Sequence, residues 1–194
     1  MYKILIVDDF VTNGILIKKA LDSKKYEIKT LVSGQQALSY IDGGAHVDLI
    51  ILDLNMPDMD GIETLSKLRE RELCKTIPIM FVTGSADRNK VIEGFKKGID
   101  DIVAKPVNSK FLNERVEIAL RGETPVQQYK KRNGEDVGGL TSLYGKLAGE
   151  FTKSLQVLAD AAEDQNLEID DEGIDGDDGN FGIDFSDIIG ESLW

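Results

Sequence analysis

Along its first 121 residues the chain alternates between two hydrophobic periods. Unbroken apolar runs of strand length stand at Lys3–Val7, Ile28–Val32, Leu49–Leu52, Ile79–Val82 and Asp101–Ala104. Ile and Val dominate them, which suits strands covered on both faces of a parallel sheet. Helical spacing fills the intervals, at about Val11–Leu21, Gln35–Ile41, Gly61–Arg71, Arg88–Lys96 and Ser109–Arg121. Val11, Ile15, Leu16 and Leu21 mark the apolar face expected of the first helix. Phe111, Leu112, Val116, Ala119 and Leu120 mark that of the last. Five such units with short connections predict an α/β fold, a doubly wound (βα)5 sandwich around a five-stranded parallel sheet. Ligands of such folds bind beyond the carboxyl ends of the strands.

After residue 121 the pattern changes. Gly122 and Pro125 are expected to end the last helix, and the polar stretch 122–139 reads as a linker. A second amphipathic helix is expected over 140–162, with Leu140, Tyr144, Leu147, Phe151, Leu155, Leu158 and Ala162 on one face. Leu140, Phe151 and Ala162 fall eleven residues apart, which fits a straight docking helix better than a heptad coil. Residues 163–194 read as an acidic, disordered tail that ends in an apolar peptide, Phe181–Trp194. Bulky side chains are uncomfortable in water, so that peptide reads as a docking segment for a partner, another subunit or the chain's own surface.

Charge sharpens this division. The net charge of −12 is uneven: residues 1–123 hold 18 basic and 19 acidic residues, and residues 124–194 hold 5 and 16. An acidic tail repels nucleic acid and anionic membranes, and no basic cluster with aromatic interleaving offsets it. No nucleic-acid or membrane partner is therefore expected. One cysteine, Cys74, excludes a disulfide framework, and the single His46 cannot build a histidine metal site alone. No span or leader is read at the N-terminus, so the expected location is cytoplasmic. The tail's glycines among aspartates miss the EF-hand register and are too few for a calcium roll.

The polar residues at strand ends carry the chemistry. Asp8 and Asp9 follow the first strand, Asp53 the third, Thr83 ends the fourth, and Lys105-Pro106 follows the fifth. Topology should bring them to one edge of the sheet. Three carboxylates in one crevice repel each other unless a cation joins them, and oxygen ligands with room for water suit Mg²⁺. Phosphoryl transfer needs an in-line nucleophile and neutralisation of the equatorial oxygens. Asp53 supplies the nucleophile; a cation at Asp8 and Asp9, with Lys105 and Thr83, supplies the neutralisation. Singly, each aspartate would read as a cap or turn residue; together they form a site. Asp58, Asp60 and Gly61 read as turn and helix-start residues, and Asp100 and Asp101 as strand-entry residues.

The blocks LIVDDF, ILDLNMPDMDG, MFVTGSA and IDDIVAKP resemble those of bacterial two-component response-regulator receiver domains, over about residues 2–121. The resemblance implies a flavodoxin-like fold and a phosphoprotein of signal transduction, phosphorylated by a sensor histidine kinase or phosphotransfer protein. It implies Asp53 as phosphoacceptor, Asp9 and Asp53 as direct Mg²⁺ ligands, Asp8 acting through metal-bound water, and the Asn55 carbonyl completing the shell. Lys105 would contact the phosphoryl group, Thr83 would move to meet it, and Gly84 would leave access. Asn55 and Ser85 would tune the phosphoryl lifetime, and the Lys105-Pro106 bond would be cis. One departure stands out: Ile102 occupies the place where the family usually has Tyr or Phe, so coupling from Thr83 outward is expected to be muted or to take another route.

The output expected is protein–protein interaction through the 140–162 helix and the tail, since no helix-turn-helix, cyclase, phosphodiesterase or methylesterase motif follows residue 121. A homodimer and an unknown downstream protein both remain open as partners. The rival enzyme reading is a Mg²⁺-dependent phosphohydrolase with an aspartyl nucleophile, but Asn55 stands where such enzymes carry a second Asp as general acid. A third reading is an unphosphorylated receiver-like scaffold.

Overall fold

The computed structural model describes residues 1–85, 87–134 and 136–164, with side chains of the final helix described as far as residue 160. The acidic tail and the apolar peptide Phe181–Trp194 lie outside the described residues. Five parallel strands form one sheet: β1 (Tyr2–Val7), β2 (Tyr26–Leu31), β3 (Leu49–Leu52), β4 (Ile79–Thr83) and β5 (Asp101–Ala104), in the order β2-β1-β3-β4-β5. Between and after them run α1 (Val11–Ala20), α2 (Gly34–Asp42), α3 (Gly61–Arg69), α4 (Arg88–Lys97) and α5 (Ser109–Leu120). The predicted doubly wound (βα)5 sandwich is therefore the fold.

The apolar strand runs are explained by burial on both faces. Ile4, Ile6, Leu49, Ile51, Met80 and Val82 pack beneath α1 and α5 with Ile17, Leu112 and Val116. Leu5, Val7, Ile50, Leu52 and Phe81 face the other way, toward Leu38, Ile41, Leu65, Val91 and Phe95 of α2, α3 and α4. Successive strand residues thus serve opposite layers.

The first helix differs from expectation. Its buried residues are Asn13, Gly14 and Ile17, whereas Val11, Ile15 and Leu16 are exposed. Gly14 lies on the face that meets the sheet, where a Cβ would make an ordinary contact of 3.7 Å with Thr30 of β2, and Asn13 on the same face reaches Asp8.

The stretch 122–139 also differs. Pro125 does not begin a linker; it is the first residue of α6 (Pro125–Asn133). Thr124 Oγ1 accepts from the Gln127 amide at 3.2 Å, and Gln127 Oε1 accepts from the Thr124 amide at 3.0 Å. This reciprocal cap, with proline at the position where its missing N–H costs nothing, starts a helix. The final helix, α7, spans Val137–Asp164 and so begins before and ends after the expected 140–162. Its buried stripe is Leu140, Tyr144, Ala148, Phe151, Leu155 and Leu158, packed across α4 and β5, with Leu147 half-buried beside it.

Candidate functional site

Backbone bonds just past the strand ends fix the rim where the polar residues meet. The Asp8 amide donates to Leu31 O at 3.1 Å and the Asp53 amide to Val7 O at 2.8 Å. The Lys105 amide donates to Thr83 O at 3.1 Å, and the Lys105-Pro106 peptide is cis. The sheet ladder therefore continues one residue beyond the strands and carries each side chain to the same edge.

The carboxylates of Asp8, Asp9 and Asp53 each place an oxygen within 4.8 Å of the others. Asp8 and Asp53 are buried, and Asp9 is half-buried. Lys105 Nζ lies 2.8 Å from Asp8 Oδ2 and 3.3 Å from Asp53 Oδ1. Two of the three carboxylates thus share one ammonium. Burial, reinforced by the Asp8 charge and opposed by Lys105, pushes the Asp53 carboxyl up to about 6. For Lys105, burial works against the cation, but the charges of Asp53 and Asp8 outweigh it and raise its pKa.

Thr83 is buried at the end of β4, and its Oγ1 accepts from the Ser85 amide at 3.1 Å. Gly84 is exposed at the mouth of the rim, and Asn55 stands exposed two residues beyond Asp53. Ile102 lies buried on β5, in a cleft that it lines together with Leu147 and Phe151 of α7. All five strand-end elements thus reach one edge of the sheet, and Ile102 faces the final helix instead.

Asn13, Arg69 and Arg115 carry no signal in the sequence pattern, yet each holds a carboxylate in place. Asn13 Nδ2 donates to Asp8 Oδ1 at 3.4 Å, and the Phe10 amide donates to the same oxygen at 3.1 Å. Gly61, read as a helix-start residue, does start α3, with Asp60 accepting from the Glu63 amide at 2.8 Å. It also lies against the backbone of Asp53 and Leu54, where a Cβ would stand 2.3 Å from Asp53 O. Asp100 and Asp101 do more than open β5: Asp100 Oδ2 accepts from Arg69 and from the Ile79 amide, and Asp101 pairs with buried Arg115. A single helix asparagine or a buried pair crossing from strand to helix leaves no periodic mark in a sequence.

The donor set suits a hard divalent cation. It is all oxygen, excessively negative, and includes a carboxyl that burial keeps from ionising readily. The arrangement sets the Asp53 carboxyl beside two further carboxylates, the Lys105 ammonium and the buried Thr83 hydroxyl. Among the described residues no helix is long and apolar enough to cross a membrane.

Comparison with known proteins bears on the family to which the chain belongs. The sequence profile of the response regulator receiver domain matches residues 4–117. Chemotaxis protein CheY1 of Helicobacter pylori is 33% identical over 119 residues, covering 61% of this chain and 96% of that protein. Response regulator PleD of Caulobacter vibrioides is 30% identical over 149 residues, 76% of this chain but only 33% of PleD, so the chain spans about a third of that relative's length. The crystal structure of a CheY-like receiver domain protein from Methanospirillum hungatei JF-1 superposes with a TM-score of 0.59 at 28% identity, covering 63% of this chain and 96% of the other. Matched over more than half its length by the profile, and carrying the acidic rim at the strand ends, this chain belongs to the response regulator receiver family.

Proposed function

We propose that Asp53 accepts a phosphoryl group from the phosphohistidine of a sensor histidine kinase or phosphotransfer protein, and that the result is read out as protein–protein contact. The observation that carries the reading is the sharing of Lys105 Nζ between Asp8 and Asp53, at 2.8 and 3.3 Å, inside a cluster of three carboxylates. Asp8, Asp9 and Asp53, with the backbone carbonyl of Asn55, would hold Mg²⁺, which when bound screens the carboxylates and draws charge from the phosphoryl oxygens. An oxygen of Asp53 attacks phosphorus in line, the P–N bond breaks, and the departing imidazole keeps the electron pair and takes up a proton. Lys105 balances charge on the incoming phosphoryl oxygens, and Thr83 offers them its hydroxyl proton.

The chain's own catalysis extends only to gain and loss of that group. Its output passes through α7 and the tail to a downstream protein, and no part of the reading requires nucleic acid or a membrane. The test is intact mass after incubation with Mg²⁺ and acetyl phosphate. One added phosphoryl group, absent from Asp53→Asn and after chelation, is the expected result. No adduct under these conditions overturns the reading, and steady turnover of phosphomonoesters would favour the phosphohydrolase.

A further inference from the structure

α7 covers the face formed by α4 and β5, and its hold on α4 is specific. The Tyr144 ring stacks on Phe95 of α4, with centroids 5.5 Å apart and planes 10° from parallel. Elsewhere on the same helix pair, Arg88 Nη2 donates to Gly145 O at 3.0 Å. Packing is less complete on the other side, where a cleft lined by Ile102, Phe111, Leu147 and Phe151 separates α7 from α5. The helix is thus anchored along α4 and loosely seated toward α5.

The anchor is wired to the rim. Thr83 Oγ1 accepts from the Ser85 amide at 3.1 Å, and Ser85 Oγ accepts from the Asp87 amide at 3.4 Å. Asp87 is the N-cap of α4, accepting from the Asn89 and Lys90 amides. Arg88, the first residue of α4, then reaches Gly145. A phosphoryl group on Asp53 would bring acceptor oxygens beside the buried Thr83 hydroxyl. Turning that hydroxyl toward them takes it from the Ser85 amide and frees the turn that sets the start of α4. Packed helices respond to such a shift by changing between discrete arrangements, because interiors are too dense to deform smoothly.

We propose that α7 is an intramolecular cover over the α4–β5 face, latched by Arg88 and the Phe95–Tyr144 stack and loosened through Thr83, Ser85 and Asp87 when the rim is phosphorylated. The proposal rests on Asp53 being the phosphoacceptor, and its route does not pass through Ile102.

Hydrogen exchange of the full chain in Mg²⁺, with and without beryllofluoride as the phosphoryl analogue, tests it. The expected result is exchange about tenfold faster in α7 with the analogue, while the strands stay unchanged. Arg88→Ala, on an exposed side chain, should speed α7 exchange without the analogue and shrink the further increase that the analogue causes. Protection of the Asp53 and Thr83 loops with no change in α7 overturns the latch and leaves the phosphoacceptor reading standing. So does an Arg88→Ala chain whose α7 responds to the analogue as fully as the unaltered protein. No protection at the rim, together with no phosphoryl adduct, overturns the phosphoacceptor reading instead.

Discussion

Gly61 and Asp53 touch through their backbones: a methyl group on the Gly61 α-carbon would stand 2.3 Å from the Asp53 carbonyl oxygen and 2.7 Å from the Leu54 α-carbon. The Gly61 amide also donates to Leu54 O at 2.9 Å, so the start of α3 is pinned under the loop that carries the nucleophile. A side chain here can only be accommodated by moving that loop. Gly61→Ala should therefore cost about 2 kcal/mol of stability, as overpacking typically does. It should also slow phosphoryl uptake from acetyl phosphate, because the nucleophile must sit within a few tenths of an ångström of its place. Urea denaturation and the rate of adduct formation check the two effects, and unchanged values for both would mean the contact is not binding.

The Asp53 carboxyl, pushed up to about 6 from an ordinary 3.8, makes stability depend on pH in a definite direction. At low pH the group is protonated in both states and contributes nothing. As pH rises from about 4 toward 6, the unfolded chain releases a proton that the native state retains, so stability falls. In metal-free buffer the unaltered protein should lose about 2 kcal/mol across that window relative to Asp53→Asn, which carries no such proton. Bound Mg²⁺ favours the ionised carboxyl and should reverse the difference. Chemical denaturation of both proteins at several pH values, with chelator and with Mg²⁺, reads this directly.

Lys105 and a divalent cation compete for the same oxygens, since the ammonium already contacts Asp8 and Asp53. Removing the charge takes that ammonium away from Asp8 and Asp53. Lys105→Met should thus bind Mg²⁺ about tenfold more tightly by calorimetry. Phosphoryl uptake should nonetheless slow by about a hundredfold, because a fixed charge aimed at the transferring oxygens is lost. Tighter metal with slower chemistry separates this role from simple damage to the site, which would weaken both.

Much of the architecture is legible in the order of the residues. Strands buried on both faces must be apolar throughout, so Leu49–Leu52 and Ile79–Thr83 announce themselves as runs. Strand ends in a parallel sheet share an edge, so Asp8, Asp53, Thr83 and Lys105 can be assembled from order alone. Other features depend on signals that compete or vanish. Pro125 reads equally as the end of one helix and the first residue of the next; the Thr124 and Gln127 cap decides for the second, and its residues stand in plain sight. Gly14 carries no hydrophobicity, so the apolar stripe of Val11, Ile15 and Leu16 points the first helix the wrong way. Arg88 and Gly145 lie 57 positions apart and meet only because α7 folds back over α4.

The pair of Asp101 and Arg115 belongs to that hidden class and yields the last prediction. Arg115 Nε donates to Asp101 Oδ2 at 2.8 Å and its Nη2 to Asp101 Oδ1, tying α5 to the first residue of β5. Their relative exposures are 7% for Arg115 and 3% for Asp101, so neither charge has water to fall back on. Such a pair adds little compared with apolar residues of the same shape, but losing one member strands the other. Arg115→Met should cost about 3 kcal/mol in urea denaturation, because it leaves a buried carboxylate without its countercharge, held by the Ile102 amide at 2.8 Å. Adding Asp101→Asn to that variant removes the stranded charge and should recover more than half of the loss. Equal stability of the single and double variants would show that desolvation of Asp101 is not what the arginine offsets, and that its packing against Phe111, 5.9 Å from the ring centroid, matters instead.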